Sequence, residues 1–158
     1  MNRQSITAIA IGLVVVAIAV GVILQTTRKN RVELTGSVLR VRSHAVDPET
    51  TVVFADIRVS NPSTQQFVVK EVEVYVDELE GDEFAENDAQ RLFSYYPVLG
   101  KKDNPNLTIR QKINPGETID RMISVRVSAS DESVQSRKAL RIVVTDVDGA
   151  KTEIAEKR

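Results

Sequence analysis

Residues 51–60, TVVFADIRVS, and residues 67–79, FVVKEVEVYVDEL, decide the predicted fold. In both segments apolar and polar side chains alternate, with the apolar ones mainly at odd positions in the first and at even positions in the second. This two-residue period is typical of β-strands that bury one face. Asn61-Pro62-Ser63 separates the segments, because proline donates no ladder hydrogen bond and restricts the residue before it. The pair therefore predicts two half-buried strands joined by a turn.

The same period recurs along the rest of the C-terminal part of the chain, with turn signals at Asn114-Pro115-Gly116 and Asp148-Gly149. We therefore predict an all-β fold, a seven- to eight-stranded antiparallel β-sandwich of immunoglobulin-like architecture, with a closed barrel as the alternative. Among the side chains expected to face its core are Leu39, Val68 and Ile109. The further predicted strands are 37–43, 107–113, 118–127 and the hairpin 140–155, with a turn at 44–50 and a loop with one helical turn at 128–139.

Between residues 80 and 102, a segment that we call the insert, the strand period stops. The run 87–97, NDAQRLFSYYP, predicts a short helix that ends at Pro97. Asn87 or Asp88 would be its N-cap residue, since both side chains can accept a hydrogen bond from the first free backbone N–H groups.

Two interpretations of this helix are open. It is either a cap over a sheet edge or open end, or an exposed apolar surface for a protein partner. We favour the cap, because three aromatic residues in four positions are many for a chain that is 4% aromatic. As a cap it would turn Leu92, Phe93 and Tyr96 toward Val68, Val72 or Ile109. As a partner surface it would present Arg91, Leu92, Phe93, Tyr95 and Tyr96.

A membrane helix is predicted before the sandwich. Residues 6–24, ITAIAIGLVVVAIAVGVIL, are apolar on every helical face, and residues 4–27 carry no charge. At 1.5 Å per residue this length matches the hydrocarbon core of a bilayer. Ala17-Ile18-Ala19 also fits a signal-peptidase site, so an exported soluble domain after cleavage is the alternative. The predicted organisation is a tail at 1–5, a transmembrane helix at 6–27, a basic tether at 28–35 and the β-sandwich at 36–158.

The charges beside this helix bear on its orientation. Arg28, Lys29 and Arg31 follow it, whereas Arg3 is the basic side chain that precedes it. The positive-inside rule favours a cytoplasmic sandwich. A short tail, one span and a large domain are instead the usual layout of an exported signal-anchored protein. We favour export.

The charge and residue content exclude several function classes. There is no cysteine and a single histidine, which rules out thiolate sites, disulfides and two-histidine zinc motifs. Residues 32–158 carry a formal charge of −5 and few aromatics, so no nucleic-acid partner is expected. The acidic run 77–88 does not have the spacing of a calcium-binding loop, and we interpret it as solvated. No catalytic residue, metal or cofactor is predicted.

Two stretches resemble known β-sandwich families. Residues 53–75, a strand, the Asn61-Pro62-Ser63 break and a second strand, resemble the strand–Asn-Pro–strand core of water-stress and late-embryogenesis type sandwiches. Residues 113–127, INPGETIDRMISVRV, are similar to the turn and strand of small membrane-anchored immunoglobulin-like or fibronectin-III-like domains. The resemblance implies a β-sandwich without catalytic residues.

Together these features predict a single-pass membrane protein whose sandwich is a non-catalytic binding or structural module. Its predicted partners are the lipid bilayer, through residues 6–27, and an unidentified protein. The alternative is a ligand-binding or, less favoured, enzymatic domain that uses the insert, in which Arg91, Tyr95, Tyr96 and His44 would converge around a cavity.

Overall fold

The computed structural model describes residues 33–156 and the single residue Val16. Apart from Val16, the predicted membrane helix at 6–27 and the flanking Arg28, Lys29 and Arg31 lie outside the described residues. Among the described residues, no helix has the length and apolar character needed to cross a bilayer. Residues 32–158 form one compact unit.

Within residues 33–156 the chain forms nine strands, two α-helices and one 3-10 turn. The strands are β1 (Thr35–Asp47), β2 (Thr50–Ser60), β3 (Phe67–Val76), β4 (Leu79–Glu80), β5 (Asp82–Glu83), β6 (Lys112–Ile113), β7 (Thr118–Val127), β8 (Leu140–Asp146) and β9 (Lys151–Ala155). The helices are α1 (Glu86–Tyr95) and α2 (Asp131–Gln135), and the 3-10 turn is Pro97–Leu99.

The strands form two antiparallel sheets. The first sheet has the order β1-β2-β7-β5, and the second has the order β4-β3-β8-β9, with β6 also paired to β3. The predicted all-β sandwich is confirmed, and the strands form two sheets rather than the alternative closed barrel. Nine strands exceed the predicted seven to eight because β4, β5 and β6 have two residues each, which is too short to leave a period in the sequence.

The main core lies between the inner faces of the two sheets. The odd positions of β2 and β7 pack against the even positions of β8 and, from Val72 onward, of β3, as the alternation predicted. Leu34, which the sequence assigned to the tether, is also buried in this core. The largest side chains that are less than 2% exposed in this cluster are Ile57, Phe67, Ile113, Leu140, Ile142 and Ile154.

Three side chains expected in the core do not face it as predicted. The register of β1 shifts between Val38 and Arg40, so Leu39 is 47% exposed. A shift between Val69 and Glu71 in β3 makes Val69, not Val68, a buried core residue. Ile109 is 60% exposed, because most of the predicted strand 107–113 is a loop that becomes β6 only at its end. A bulge adds one residue and reverses the faces beyond it, which a strict two-residue period does not show.

Buried Asn61 joins the two turns that the sequence singled out. Its Nδ2 donates to the carbonyls of Gln65 at 2.8 Å and Ile113 at 2.9 Å. Its Oδ1 accepts from the backbone N–H of Ser63, and its backbone carbonyl accepts from Gly116 in the second turn. Gly116 has a φ of 75°, which favours glycine at this position. The Asn-Pro break therefore fixes the β2–β3 link against the β6–β7 turn.

Candidate functional site

The insert covers the outer face of the first sheet, the face turned away from the second sheet. The even positions of β2 point to this side, and Val52 and Phe54 have no exposed surface there. The Phe93 ring of α1 lies 4.8 Å from the Phe54 ring, centroid to centroid. A second apolar cluster therefore lies under α1 and the 3-10 turn, which together we call the cap. The buried members of this cluster are Val52, Phe54, Phe84, Ala89, Phe93, Leu99 and Met122, with Leu92 packed at its border.

A cap is present, as predicted, but it covers a different part of the sandwich from the one expected. Phe93 is buried, but it packs on the outer face of β2 and not on Val68, Val72 or Ile109. The reason is that the first half of β2 is apolar on both faces, so this sheet needs a covering layer on each side. The helix starts at Glu86 after Ala85, which makes no side-chain capping hydrogen bond, so neither Asn87 nor Asp88 is the N-cap residue.

A buried ion pair lies beside this second cluster. Asp56 is on the outer face of β2, with its side chain 3% exposed. Arg42 Nη2 on β1 donates to Asp56 Oδ2 at 2.7 Å, and Arg40 Nε donates to the same oxygen at 3.1 Å. Asn104 Nδ2 donates to the other carboxylate oxygen at 3.2 Å. The Asp56 carboxylate is thus paired and hydrogen-bonded, as a buried charge must be.

Arg42 also connects the sheet to the cap. Its Nη1 donates to the carbonyls of Leu99 and Lys101, each at 2.9 Å, just where the 3-10 turn ends. Its guanidinium carbon lies 4.6 Å from the centroid of the Phe93 ring, a cation–π contact. Burial lowers the pKa of Arg42, and the Asp56 carboxylate opposes that shift. One side chain therefore satisfies a buried carboxylate and the free carbonyls at the end of the cap.

A second ion pair holds the other end of α1. Lys102 Nζ donates to Glu86 Oε1 in the first turn of the helix. This hydrogen bond lowers the pKa of Glu86. Because the pKa of Glu86 is lower in the folded chain than in the unfolded chain, the ion pair stabilises the fold at pH values above the pKa of an unfolded glutamate. This contribution is lost as the pH falls through the pKa that Glu86 has in the folded chain.

The predicted site residues do not converge on one cavity. Arg91 is exposed and forms a 3.6 Å ion pair with Asp88, one turn back along the helix. Tyr95 is 76% exposed. His44 of β1 meets Tyr96, with ring centroids 3.9 Å apart. The hypothesis that Arg91, Tyr95, Tyr96 and His44 surround a ligand is therefore wrong, because Arg91 and Tyr95 lie on the exposed side of the helix, whereas Tyr96 packs against His44 of β1.

The acidic run 77–88 supplies turn and helix contacts. Asp77 has a φ of 54°, and its Oδ1 accepts from the backbone N–H groups of Lys138 and Ala139. Among residues 33–156, no group of three or more histidine, aspartate or glutamate side chains is arranged so that it could hold a metal ion.

The outward surface of the cap carries large apolar side chains that the fold does not bury. Tyr95 and Tyr96 are 76% and 41% exposed, and Val98 is 88% exposed. We call these three residues the cap patch. Sequence reasoning included both tyrosines but missed Val98. It also missed Arg42 and Asp56, although Phe54 on the supposedly polar face of β2 was a signal that this face is covered.

Comparisons with known proteins give likenesses of fold. No family model matches the chain, and no curated protein matches it. A provisionally named lipoprotein from Bacillus subtilis aligns with 77% of this chain at 9% identity and a TM-score of 0.49. The aligned part is 35% of that protein, so the chain spans about a third of its length. An uncharacterized β-sandwich protein from Clostridium difficile aligns with 81% of this chain and 82% of its own, at 13% identity and a TM-score of 0.29. Neither likeness bears on what this chain binds or where it lies in the cell.

The two faces of the cap predict opposite effects of substitution. Phe93→Ala should destabilise the domain by about 3–5 kcal/mol, because it opens a cavity against Phe54 and removes the ring under Arg42. Tyr95→Ala, two residues away on the exposed side, is the matched control and should change stability by about 0.5 kcal/mol or less. Urea denaturation followed by circular dichroism measures both values. Equal stability of the Phe93→Ala variant and the wild type would show that the cap is not part of the core.

Proposed function

We propose that the chain is a single-pass membrane protein, held in the bilayer by residues 6–27, whose immunoglobulin-like sandwich is a non-catalytic module that binds a partner protein through the cap patch. The bilayer assignment is supported by the uncharged apolar length of 6–24 and by the basic flank of Arg28, Lys29 and Arg31. We place the sandwich outside the cytoplasm, since a large folded domain that follows an apolar span is the usual arrangement of an exported, membrane-anchored protein.

The observation that carries the binding role is the two-sided character of the cap. Its inner side chains are required by the fold, since they cover Val52 and Phe54. Its outer side chains are not, yet Tyr95, Tyr96 and Val98 lie exposed within four consecutive positions. Tyrosine is enriched at the centres of protein interfaces, because it brings a large contact area and a hydroxyl at low entropic cost. The cap patch is therefore better suited to contact with a protein partner than to exposure to solvent.

The non-catalytic role is supported by the buried polar side chains, because their hydrogen bonds hold strands and turns together. Asp56 is held by two arginines, and Asn61 joins two turns. Buried Asp146 accepts from the backbone N–H groups of Val68 and Asp148. Arg137 forms a bidentate pair with Glu156. Each of these groups stabilises a strand or a turn.

The membrane assignment predicts the behaviour of the chain in cells. The full chain should stay with the membrane pellet after an alkaline carbonate wash, and alkaline phosphatase fused after Arg158 should be active, because that enzyme folds only outside the cytoplasm. Release of the chain by the wash would support cleavage near Ala17-Ile18-Ala19 instead. An inactive phosphatase fusion together with a fluorescent cytoplasmic reporter at the same site would reverse the orientation.

The binding role predicts a complex that depends on the cap patch. On native gels of detergent-solubilised membranes, the wild-type chain should migrate in an assembly larger than the chain alone. Tyr95→Ser with Val98→Ser should convert it to the free chain without lowering its melting temperature, since both side chains are exposed. Tyr75→Ser, on the outer face of the second sheet, is the control and should leave the assembly intact. Persistence of the assembly in the double variant would contradict the proposal.

A further inference from the structure

One end of the sandwich is defined by the start of β1. Thr35 in β1 pairs with Ser60 in β2, and Ser60 pairs with Thr118 in β7. The backbone N–H of Leu34, just before β1, donates to Thr152 Oγ1 in β9 at 3.3 Å. The chain therefore enters the sandwich where β2 ends and where β7 and β9 begin. We call this the anchored end.

The β8–β9 turn and the start of β3 complete the anchored end. Val68 of β3 pairs with Lys112 of β6, and its carbonyl accepts from the backbone N–H of Val147 in the turn. The Val147 side chain is 52% exposed, and the side chain of Lys151, which begins β9, is 60% exposed. Arg110 and Lys112 are exposed as well. Exposed apolar and basic side chains together suit the boundary between acyl chains and anionic head groups.

The length of the chain before β1 limits which end can face a bilayer. Leu34 is buried in the main core, and the six residues 28–33 separate it from the span predicted at 6–27. Even fully extended, the chain from residue 27 to Leu34 reaches about 25 Å. The eleven residues of β2 place the two ends of the sandwich about 33 Å apart. The sandwich therefore cannot stand on the bilayer with the end opposite to the anchored end.

The two ends also differ in charge. Pairings such as Thr51 with Val127 and Val76 with Leu140 gather the opposite end, which we call the free end. The anchored end comprises residues 33–37, 58–70, 110–121 and 145–152, and the free end comprises residues 44–52, 75–83, 125–141 and 155–156.

The anchored end holds six basic and five acidic residues, a formal charge of +1. The free end holds four basic and ten acidic residues, a formal charge of −6, or −4 when Lys157 and Arg158, which follow it, are added. An anionic surface therefore repels the free end but not the anchored end.

We propose that the anchored end rests on the surface of a bilayer that contains anionic lipid, with Val147 among the head groups and the free end pointing away. The inference rests on the proposed membrane anchor and adds the orientation of the sandwich. Arg110, Lys112 and Lys151 contact lipid phosphates and extend the basic flank at 28–31. A sandwich lying on either sheet would bring its acidic free end to the same surface. The upright orientation leaves the cap patch on the side of the domain, where a partner protein reaches it.

The test uses the full chain in vesicles and one introduced tryptophan at a time, because the chain has none of its own. Val147→Trp is the probe at the anchored end. Val46→Trp, in the β1–β2 turn, is the matched control at the free end, since Val46 is 54% exposed. The vesicles are phosphatidylcholine with about one-third phosphatidylglycerol, and they include lipids with a nitroxide on the head group. These lipids should quench the Val147→Trp chain at least about threefold more than the Val46→Trp chain. Equal quenching of the two chains would overturn the proposal.

Charge reversal tests the role of the basic side chains. Lys112→Glu with Lys151→Glu, added to the anchored-end probe, should lower its quenching to that of the free-end control. Lys101→Glu with Lys138→Glu makes the same change of charge outside the anchored end and should leave the quenching as it was. Vesicles of phosphatidylcholine alone should act as the reversal does. Quenching that survives both the reversal and the loss of anionic lipid would overturn the proposal.

A third probe distinguishes an upright sandwich from one that lies on its cap. Tyr95→Trp should be quenched no more than the free-end control. Stronger quenching at position 95 than at position 147 would show that the cap contacts the bilayer, and would overturn the proposal. Thr64→Trp, in the exposed β2–β3 link of the anchored end, takes the place of Val147→Trp if that variant does not fold, with the same expected result.

Flotation of the vesicles separates this inference from the proposed function. If the chain floats with the vesicles while both ends are quenched equally, the membrane anchor stands and the orientation is wrong. If the chain does not float, the anchor itself is contradicted, and the orientation with it. The native assembly of the Tyr95 and Val98 variants tests the cap patch independently of both results.

Discussion

The pairing of Arg42 with Asp56 is the interaction on which the arrangement of the insert depends. A carboxylate on a covered sheet face must be neutralised, and Arg42 does this while its second nitrogen holds the carbonyls of Leu99 and Lys101. The same guanidinium lies over the Phe93 ring. Sheet, helix and 3-10 turn are therefore connected through one side chain. Loss of Arg42 would leave Asp56 with a single arginine and would free the end of the cap.

Much of the sandwich could be predicted because its strands obey a simple period. The bounds of β7 and of the β8–β9 hairpin follow the alternation and the turn residues closely. The cap was harder to locate, because a helix with one apolar face can cover any apolar surface. Asp56 in particular looks like an exposed strand residue in the sequence, and only the register with β1 brings it under Arg42. Bulges at Leu39 and after Val69 reverse side-chain faces without any composition change.

The cap has a buried side and an exposed side. Ala89 and Phe93 stabilise the second apolar cluster, whereas Tyr95 and Val98 remain at the surface. The 3-10 turn also lies beside β1, where Val98 and Leu99 line one groove with Val41 and Ser43. The first sheet thus positions the cap patch, and the buried ion pair of Arg42 and Asp56 holds the cap on that sheet.

Hydrogen exchange of an Arg42→Met variant tests most directly whether the ion pair holds the cap on the sheet. Mass spectrometry of the purified full chain should show that peptides from residues 84–102 exchange at least about tenfold faster than in the wild type. Peptides from β3 and β8 should change only as far as the global stability changes. If the insert kept its protection relative to the second sheet, Arg42 would not be the connection between cap and sheet, and the central role of its pairing with Asp56 would be contradicted.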